Sequence, residues 1–411
     1  MLENYSKKSP DLENYRCKVF GPFLEAFIEW LEKRGYRQTT IRRHIREISH
    51  FAAWSISQRL TIPQLHREAL DKFRLHLEQQ NLLRSPNGNY RHVYQSANVF
   101  VNFLEATGAA IVADQTSDQS PNLFLEFWQW MRIQRGTLDS TIKNYRLPII
   151  NLLESLGTDP SAFTVKNLRA FLIRQISCSS QEKSKNWGTA IRMFLRFLIA
   201  KGDCQPGLEY AIPTIARWRL STMPKYLLAG DVENLINSCD QTHLGIRDRA
   251  ILLLLARLGL RASEVSGLKF SSIIWKDATL LVTGKNRCET RLPLPQDVGE
   301  AILNYLKCAR PQASSDYVFM TVVAPWTPIT RQVVGRAVVR AICRTGVSAP
   351  KRGSHLLRHS AATSMLREGM SLPAIGVLLR HASIETTTVY AKVDINLLKE
   401  VAMPWPEVLP C

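Results

Sequence analysis

A chain of 411 residues, 45% hydrophobic and 21% charged, holds enough apolar material for two or three domains with cores of their own, so a globular protein is expected. Lysine and arginine number 53 against 35 acidic residues, and the formal charge of +18 marks a protein that meets a polyanion, without choosing between DNA, RNA and an anionic membrane. The opening MLENYSKKSP lacks the apolar core of a signal peptide, and the longest apolar stretch, Ile251 to Ala256 continuing past Arg257 to Leu260, is far too short for a bilayer span; a membrane protein is excluded and a cytoplasmic one expected.

Two segments align without gaps at an offset of 101 residues: FLEAFIEWLEKRGYRQTTIRRHI from Phe23 and FLEFWQWMRIQRGTLDSTIKNYR from Phe124. Phe23, Leu24, Gly35, Thr40, Ile41 and Ile48 fall on Phe124, Leu125, Gly136, Thr141, Ile142 and Ile149, and Phe27 falls on Trp128. Each copy predicts an aromatic-rich amphipathic helix ending at a glycine, a Thr or Ser cap, and a second helix with a basic face. That face carries Arg42, Arg43 and Arg46 in the first copy and Lys143 and Arg146 in the second. Further helical patterns run from Leu70 to Glu78 and Asn89 to Leu104, then from Val165 to Ile176 and Ser184 to Lys201. Lys185 and Arg192 on the last of these join the candidate DNA contacts, although such faces also fit a helical interaction module with merely solvated charge. The small, polar stretch Thr107 to Pro121 and the proline-punctuated stretch Gly202 to Pro224 read as linkers. The domains expected are 1–110, 121–205 and 224–402.

The third domain reads as mostly α with a small sheet: helices from Ala229 to Cys239 and Arg247 to Leu258, strands from Ala278 to Thr283 and Glu289 to Leu294, then helices to the end. Arg261, in GLRASEV, sits at a helix junction before Ser263, a candidate cap. Lys285 and Arg287 belong to the β-turn between the strands, with Lys285 at the hairpin tip. His355 and Arg358, three residues apart in HLLRH, share one face of a helix that ends at Gly369. His381 follows a helix capped by Ser371, and Tyr390 lies on or beside a short helix starting near Ser383. Each feature alone is commonplace. The order Arg, Lys, His-x-x-Arg, His, Tyr within one domain is hard to obtain by chance. The cysteines Cys17, Cys178, Cys204, Cys239, Cys288, Cys308, Cys343 and Cys411 are scattered, with no zinc spacing, and read as reduced thiols. No carboxylate cluster suited to magnesium and no phosphate-binding glycine loop is evident, so neither ATP nor a metal is expected as cofactor.

The segments LGLRASEVSGL, TGKNRCETRLPL and HLLRHSAATSMLREGMSLPAIGVLLRHASIETTTVYAKVD resemble the tyrosine recombinase (phage integrase) family over roughly residues 225 to 400, and Asn122 to Gly202 resembles its core-binding domain. The resemblance implies two helical, SAM-like bundles followed by a mixed α/β catalytic domain with a small antiparallel sheet. It further implies that Arg261 and Arg358 clamp the scissile phosphate, Lys285 protonates the 5′-oxygen, His355 serves as acid/base, His381 hydrogen-bonds the phosphate and Tyr390 attacks. Glu264 orients Arg261 and His359 buttresses the site. The partner implied is a double-stranded DNA recombination site, bound by a homo-oligomer, a dimer per site and a synaptic tetramer, with or without a partner recombinase.

A tyrosine of ordinary pKa near 10 is about one part in a thousand ionised at pH 7, a cost of about 4 kcal/mol that a cluster of cations is expected to offset. Two bidentate arginines supply positioning and charge neutralisation without a metal. The sequence departs from the family at Arg380, where glycine is usual; a phosphate contact is expected of it instead. It departs again in its added first repeat. Three readings stand: a recombinase of a mobile element, a resolvase of chromosome or plasmid dimers, and a catalytically silent DNA-binding relative. The apolar Ile395, Leu397, Leu398 and Val401 suggest a terminal helix that docks on a neighbouring protomer, and the closing MPWPEVLPC reads as irregular.

Overall fold

The computed structural model describes residues 20–80, 89–110, 122–177, 180–214, 223–284, 289–381 and 383–393. The expectations for Lys285, Arg287 and the tail from Asp394 lie outside these residues. Contacts gather the chain into two units, one drawn from Met1–Ile56, Asn87–Phe100 and Leu220–Cys411, the other from Ser57–Pro86 and Val101–Arg219.

The first repeat forms α1 (Gly21–Lys33), α2 (Gln38–Ser57), a 3-10 turn (Ile62–Gln64), α3 (Arg67–Gln79) and α4 (Asn89–Ala106). The second forms α5 (Asn122–Ile133), α6 (Asp139–Leu156), a 3-10 turn (Pro160–Ala162), α7 (Val165–Ser177) and α8 (Gln181–Lys201), the same elements in the same order. The correspondence is not gapless. Helix α1 buries Leu24, Phe27 and Leu31, whereas α5 buries Phe124, Phe127 and Met131, an offset of 100 rather than 101. The stacked pairs agree: Phe27 and Trp30 have ring centroids 6.2 Å apart, Phe127 and Trp130 6.4 Å. Buried Ile41 and Ile48 of α2 match Ile142 and Ile149 of α6 at the original offset. The second copy therefore has one more residue between Trp130 and Gly136, and Phe27 corresponds to Phe127, not Trp128. Burial decides the register because a helix slipped by one residue turns its apolar stripe by about 100°.

Helices α5 to α8 share one core in the second unit, where Phe127 meets Phe194 edge-on at 5.5 Å and Phe197 at 5.8 Å. Each such aromatic pair contributes about 0.5–1.5 kcal/mol beyond its buried area. Leu208 and Ile212 belong to the same core, so the expected linker Gly202 to Pro224 is part of the bundle as far as Ile212.

In the first unit the chain continues through α9 (Ala229–Asn237), α10 (His243–Arg257), α11 (Ala262–Ser266), β1 (Ile273–Ile274), β2 (Thr279–Thr283), β3 (Glu289–Pro293), α12 (Gln296–Cys308), α13 (Arg331–Thr345), α14 (Ser354–Arg367) and α15 (Leu372–Leu378). Two 3-10 turns, Ile384–Thr386 and Thr388–Val393, follow. Helix α10 is buried from Gly245 to Leu255 with only a single break, at Arg249, and packs against α12, α13 and α14, which makes it the axis of this core. It begins earlier than its apolar run because Thr242 Oγ1 accepts the Gly245 N–H at 3.1 Å. Its one fully buried carboxylate, Asp248, is paired with Arg247 at 3.1 Å and Arg340 at 2.6 Å, as a charge taken out of water must be. The sheet is antiparallel in the order β1-β2-β3. Thr283 paired with Glu289 is the last rung of the β2–β3 ladder. Strand β1 has two residues, too few to show an alternation in sequence. A second cluster of Ala362, Leu366, Ile375, Leu379 and Tyr390 joins α14 and α15 to the segment after them. Among the described residues no helix is long and apolar enough to cross a membrane.

Candidate active site

Helix α10 ends at Arg257, and the chain turns through Gly259 into α11. Gly259 has φ +55°, a conformation glycine takes without strain, and a Cβ there would lie 2.5 Å from Cδ2 of buried Leu379, so glycine lets this turn approach the end of α15 without displacing that side chain. Arg261 itself, not Ser263, is the N-cap of α11: its N–H donates to Glu264 Oε2 at 2.8 Å and its Nη1 to Glu264 Oε1 at 2.7 Å. Arg358, buried on α14, donates Nη1 to the Gly259 carbonyl and Nη2 to the Leu379 carbonyl. Arg261 donates Nη2 to the next carbonyl, that of Arg380, at 2.9 Å. Consecutive peptide oxygens of one turn thus hold both guanidinium groups.

Arg380 does not reach outward for a phosphate. Its side chain is 5% exposed, with Nη2 on Glu264 Oε2 at 2.8 Å and Nη1 on the Leu378 carbonyl at 2.9 Å. A carboxylate as deeply buried as Glu264 is costly unless its charge is paired, and Arg380 is one of its partners. Its φ of +55° is the left-handed conformation that glycine adopts without strain.

Tyr390 is 2% exposed, and its hydroxyl lies 2.8 Å from His359 Nδ1. With the His359 proton on Nε2, the phenol donates to Nδ1. The direct neighbour of the tyrosine is therefore His359, expected only as a buttress, while His355 stands exposed on the first turn of α14. The His381 ring lies near-parallel to the Tyr390 ring, 8° between planes at 6.4 Å, and its Nδ1 is 2.8 Å from Oγ1 of buried Thr387.

Burial raises the Tyr390 pKa to about 12, against the attraction of Arg358, so the expected easing of its ionisation is not what these surroundings provide. Burial also pushes His359 and His381 down to about 4, helped by His355 and Arg358 at the first and by Arg358 and Arg261 at the second. Glu264 stays below the usual carboxylate range: burial opposes its charge, but the Arg261 N–H and the Arg380 charge outweigh it. The histidines make stability pH-dependent. Unfolded, they bind protons as pH falls through about 6.5, whereas the folded chain refuses them down to about 4, so stability is complete above 6.5 and is lost as pH falls through that window. The melting temperature is expected to be level from pH 8 to 7 and to fall below pH 6, as read by differential scanning fluorimetry. A variant with His359→Gln and His381→Gln loses part of that slope.

Residues 225–396 match the model of the phage integrase family. The putative integrase/recombinase y4rA of Sinorhizobium fredii (strain NBRC 101917 / NGR234) is 34% identical over 391 residues, 93% of this chain and 94% of its own. The chain belongs to the phage integrase family. Tyrosine recombinase XerD of Listeria monocytogenes serotype 4b (strain F2365) is 28% identical over 295 residues, covering 68% of this chain and 97% of XerD. The solved lambda integrase dimer bound to a COC′ core site matches with a TM-score of 0.53 at 18% identity, covering 70% of this chain and 98% of that one, a likeness of fold. As a tyrosine recombinase of this family, the chain is an enzyme that breaks and rejoins DNA.

Outside this centre, the cations predicted to face DNA on the helical repeats differ in their exposure and partners. Lys143 and Lys185 are exposed on α6 and α8, and Arg42 is exposed on α2. Arg46 is exposed but ion-paired with Glu47 at 2.7 Å, and Arg192 donates to the Ile212 carbonyl at 3.1 Å, tying α8 to its own bundle. Arg43 and Arg146 are half-buried. Thr387 and Gly259 went unnoticed in the sequence. The first is one of three successive threonines, and the second carries no side chain to signal a role.

Proposed function

We propose that the chain is a recombinase of a mobile element that cuts double-stranded DNA through a 3′-phosphotyrosyl intermediate on Tyr390. The observation that carries this reading is the convergence of Arg261, Arg358, His381 and the Tyr390–His359 pair on the segment Leu379 to His381. Two guanidiniums held by backbone oxygens keep N–H groups for a phosphate and need no reorganisation on binding it.

A free phenolate is not the entry point. With a pKa near 12, ionising Tyr390 beforehand costs on the order of 7 kcal/mol at pH 7. His359, neutral above about pH 4, accepts the phenolic proton as the bond to phosphorus forms. The bond from phosphorus to the 5′-oxygen breaks, and that oxygen takes a proton from Lys285, the role the family resemblance gives it. His355, exposed near Arg358, and His381 steady the phosphate oxygens. The phosphotyrosyl ester keeps the energy of the phosphodiester, so the 5′-hydroxyl of another strand rejoins it without ATP.

The relative that spans 93% of this chain is named an integrase/recombinase, whereas XerD matches 68%, which favours the mobile-element reading over dimer resolution. The lambda integrase structure is a dimer on its core site, and the same arrangement, paired into a tetramer on two sites, suits strand exchange here. The exposed Arg42, Lys143 and Lys185 then contribute phosphate contacts from three helical surfaces.

Nicked suicide duplexes tiled from the DNA that flanks the gene test this reading. Wild-type protein with EDTA is expected to leave a covalent protein–DNA band on a denaturing gel, with the nucleotide mapped by mass spectrometry to the peptide containing Tyr390. Tight duplex binding with no covalent band on any tile would transfer the chain to the silent DNA-binding reading.

A further inference from the structure

We propose that Arg380 is a positioning residue for Arg261, holding that guanidinium both through its own carbonyl and through Glu264. The inference rests on reading Arg261 as a phosphate ligand. The resemblance places glycine at this position, and the observed φ of +55° is one that glycine takes without strain, so an arginine here needs a compensating gain. The gain is visible in where the side chain goes. It is 5% exposed and spans from the Leu378 carbonyl to Glu264 Oε2, with its Nε buried and lacking a hydrogen-bond partner among the described residues.

Glu264 is the pivot of the arrangement. Its side chain is 3% exposed and its two oxygens are divided: Oε1 takes Arg261 Nη1, and Oε2 takes both the Arg261 N–H and Arg380 Nη2. Without Arg380, the carboxylate keeps only the two donors of Arg261 itself and loses the one that ties it to the turn at residue 380. With Arg380 the plane of the carboxylate is fixed, and so is the Arg261 nitrogen it carries. The other terminal nitrogen of Arg261 sits on the Arg380 carbonyl. Residue 380 therefore holds Arg261 directly through its carbonyl and indirectly through Glu264, while the Arg261 side chain stays 27% exposed. A group that must meet a phosphate within a few tenths of an ångström gains from such bracing, because a loose cation loses its geometric advantage first.

The test uses the full-length protein and single-turnover trapping on a suicide duplex. Arg380→Gly removes the guanidinium while giving the turn the residue its backbone prefers. It is expected to bind duplex within about twofold of wild type yet form the covalent complex about tenfold more slowly, the scale of one charge-assisted bond. Arg380→Lys, which reaches Glu264 with one donor, recovers most of the rate, and Arg380→Met repeats the loss if the glycine variant folds poorly. In an Arg261→Lys background, Arg380→Gly changes the rate less than about twofold, because the residue it braces is already gone. Wild-type cleavage by both Arg380→Gly and Arg380→Met overturns the proposal, and so does a full tenfold loss in the Arg261→Lys background. Failure of the unmodified enzyme to form any covalent complex instead defeats the functional reading on which the proposal rests.

Discussion

Tyr390→Phe is expected to lower covalent complex formation by at least about 10⁴-fold while duplex affinity stays within about twofold, since the variant removes the attacking atom and nothing that meets DNA at a distance. The ring is 2% exposed and packs with Ala362, Leu366, Ile375 and Leu379, and phenylalanine fills the same volume. What is lost is the hydrogen bond to His359, 2.8 Å in the wild type. That costs about 1 kcal/mol, a few degrees in melting temperature at most. Denaturing gels read the cleavage, gel shifts the affinity and scanning fluorimetry the fold. A covalent band persisting in the variant assigns the nucleophile to another residue.

Arg358→Lys is the second large effect. The arginine is 5% exposed and donates from both terminal nitrogens to carbonyls contributed by two different parts of the chain, Gly259 and Leu379. A lysine keeps the charge but presents a single nitrogen, so one buried carbonyl is left unsatisfied, at about 1–3 kcal/mol of stability. The same loss of fork geometry removes bidentate contact with a phosphate and slows cleavage by about 10²–10³-fold. Denaturant unfolding separates the first effect from single-turnover kinetics of the second. A lysine variant that is stable and cleaves at the wild-type rate would show that charge alone suffices at this position.

The side chains proposed to carry the chemistry are legible because their identity and spacing survive in one dimension, and Arg261, Arg358, His381 and Tyr390 lie in one unit of the fold. The groups that bring them together are not. Leu379 and Arg380 act through carbonyl oxygens, which every residue owns, and Gly259 acts through the absence of a Cβ. The inward turn of Arg380 is illegible for a related reason, since it depends on Glu264 being buried and in need of a charge partner, which the sequence does not record. His359 was underrated because it follows Arg358 directly and a spacing of one says nothing about which helix face meets the tyrosine. In the helical copies, residue identity suggested a gapless repeat, and only burial showed that α1 and α5 are shifted by one. The helix starts at α10 and α11 moved because caps are set by single hydrogen bonds, from Thr242 and Glu264, that apolar periodicity does not record.

The two successive carbonyls of Leu379 and Arg380 tie the fate of one arginine to that of the other. The Leu379 carbonyl holds Arg358 and the Arg380 carbonyl, one peptide further along, holds Arg261, so a displacement of this turn reaches both cations. Strain on the short run from Leu379 to Arg380, from whichever side it comes, is therefore expected to disturb both guanidinium groups together rather than one alone.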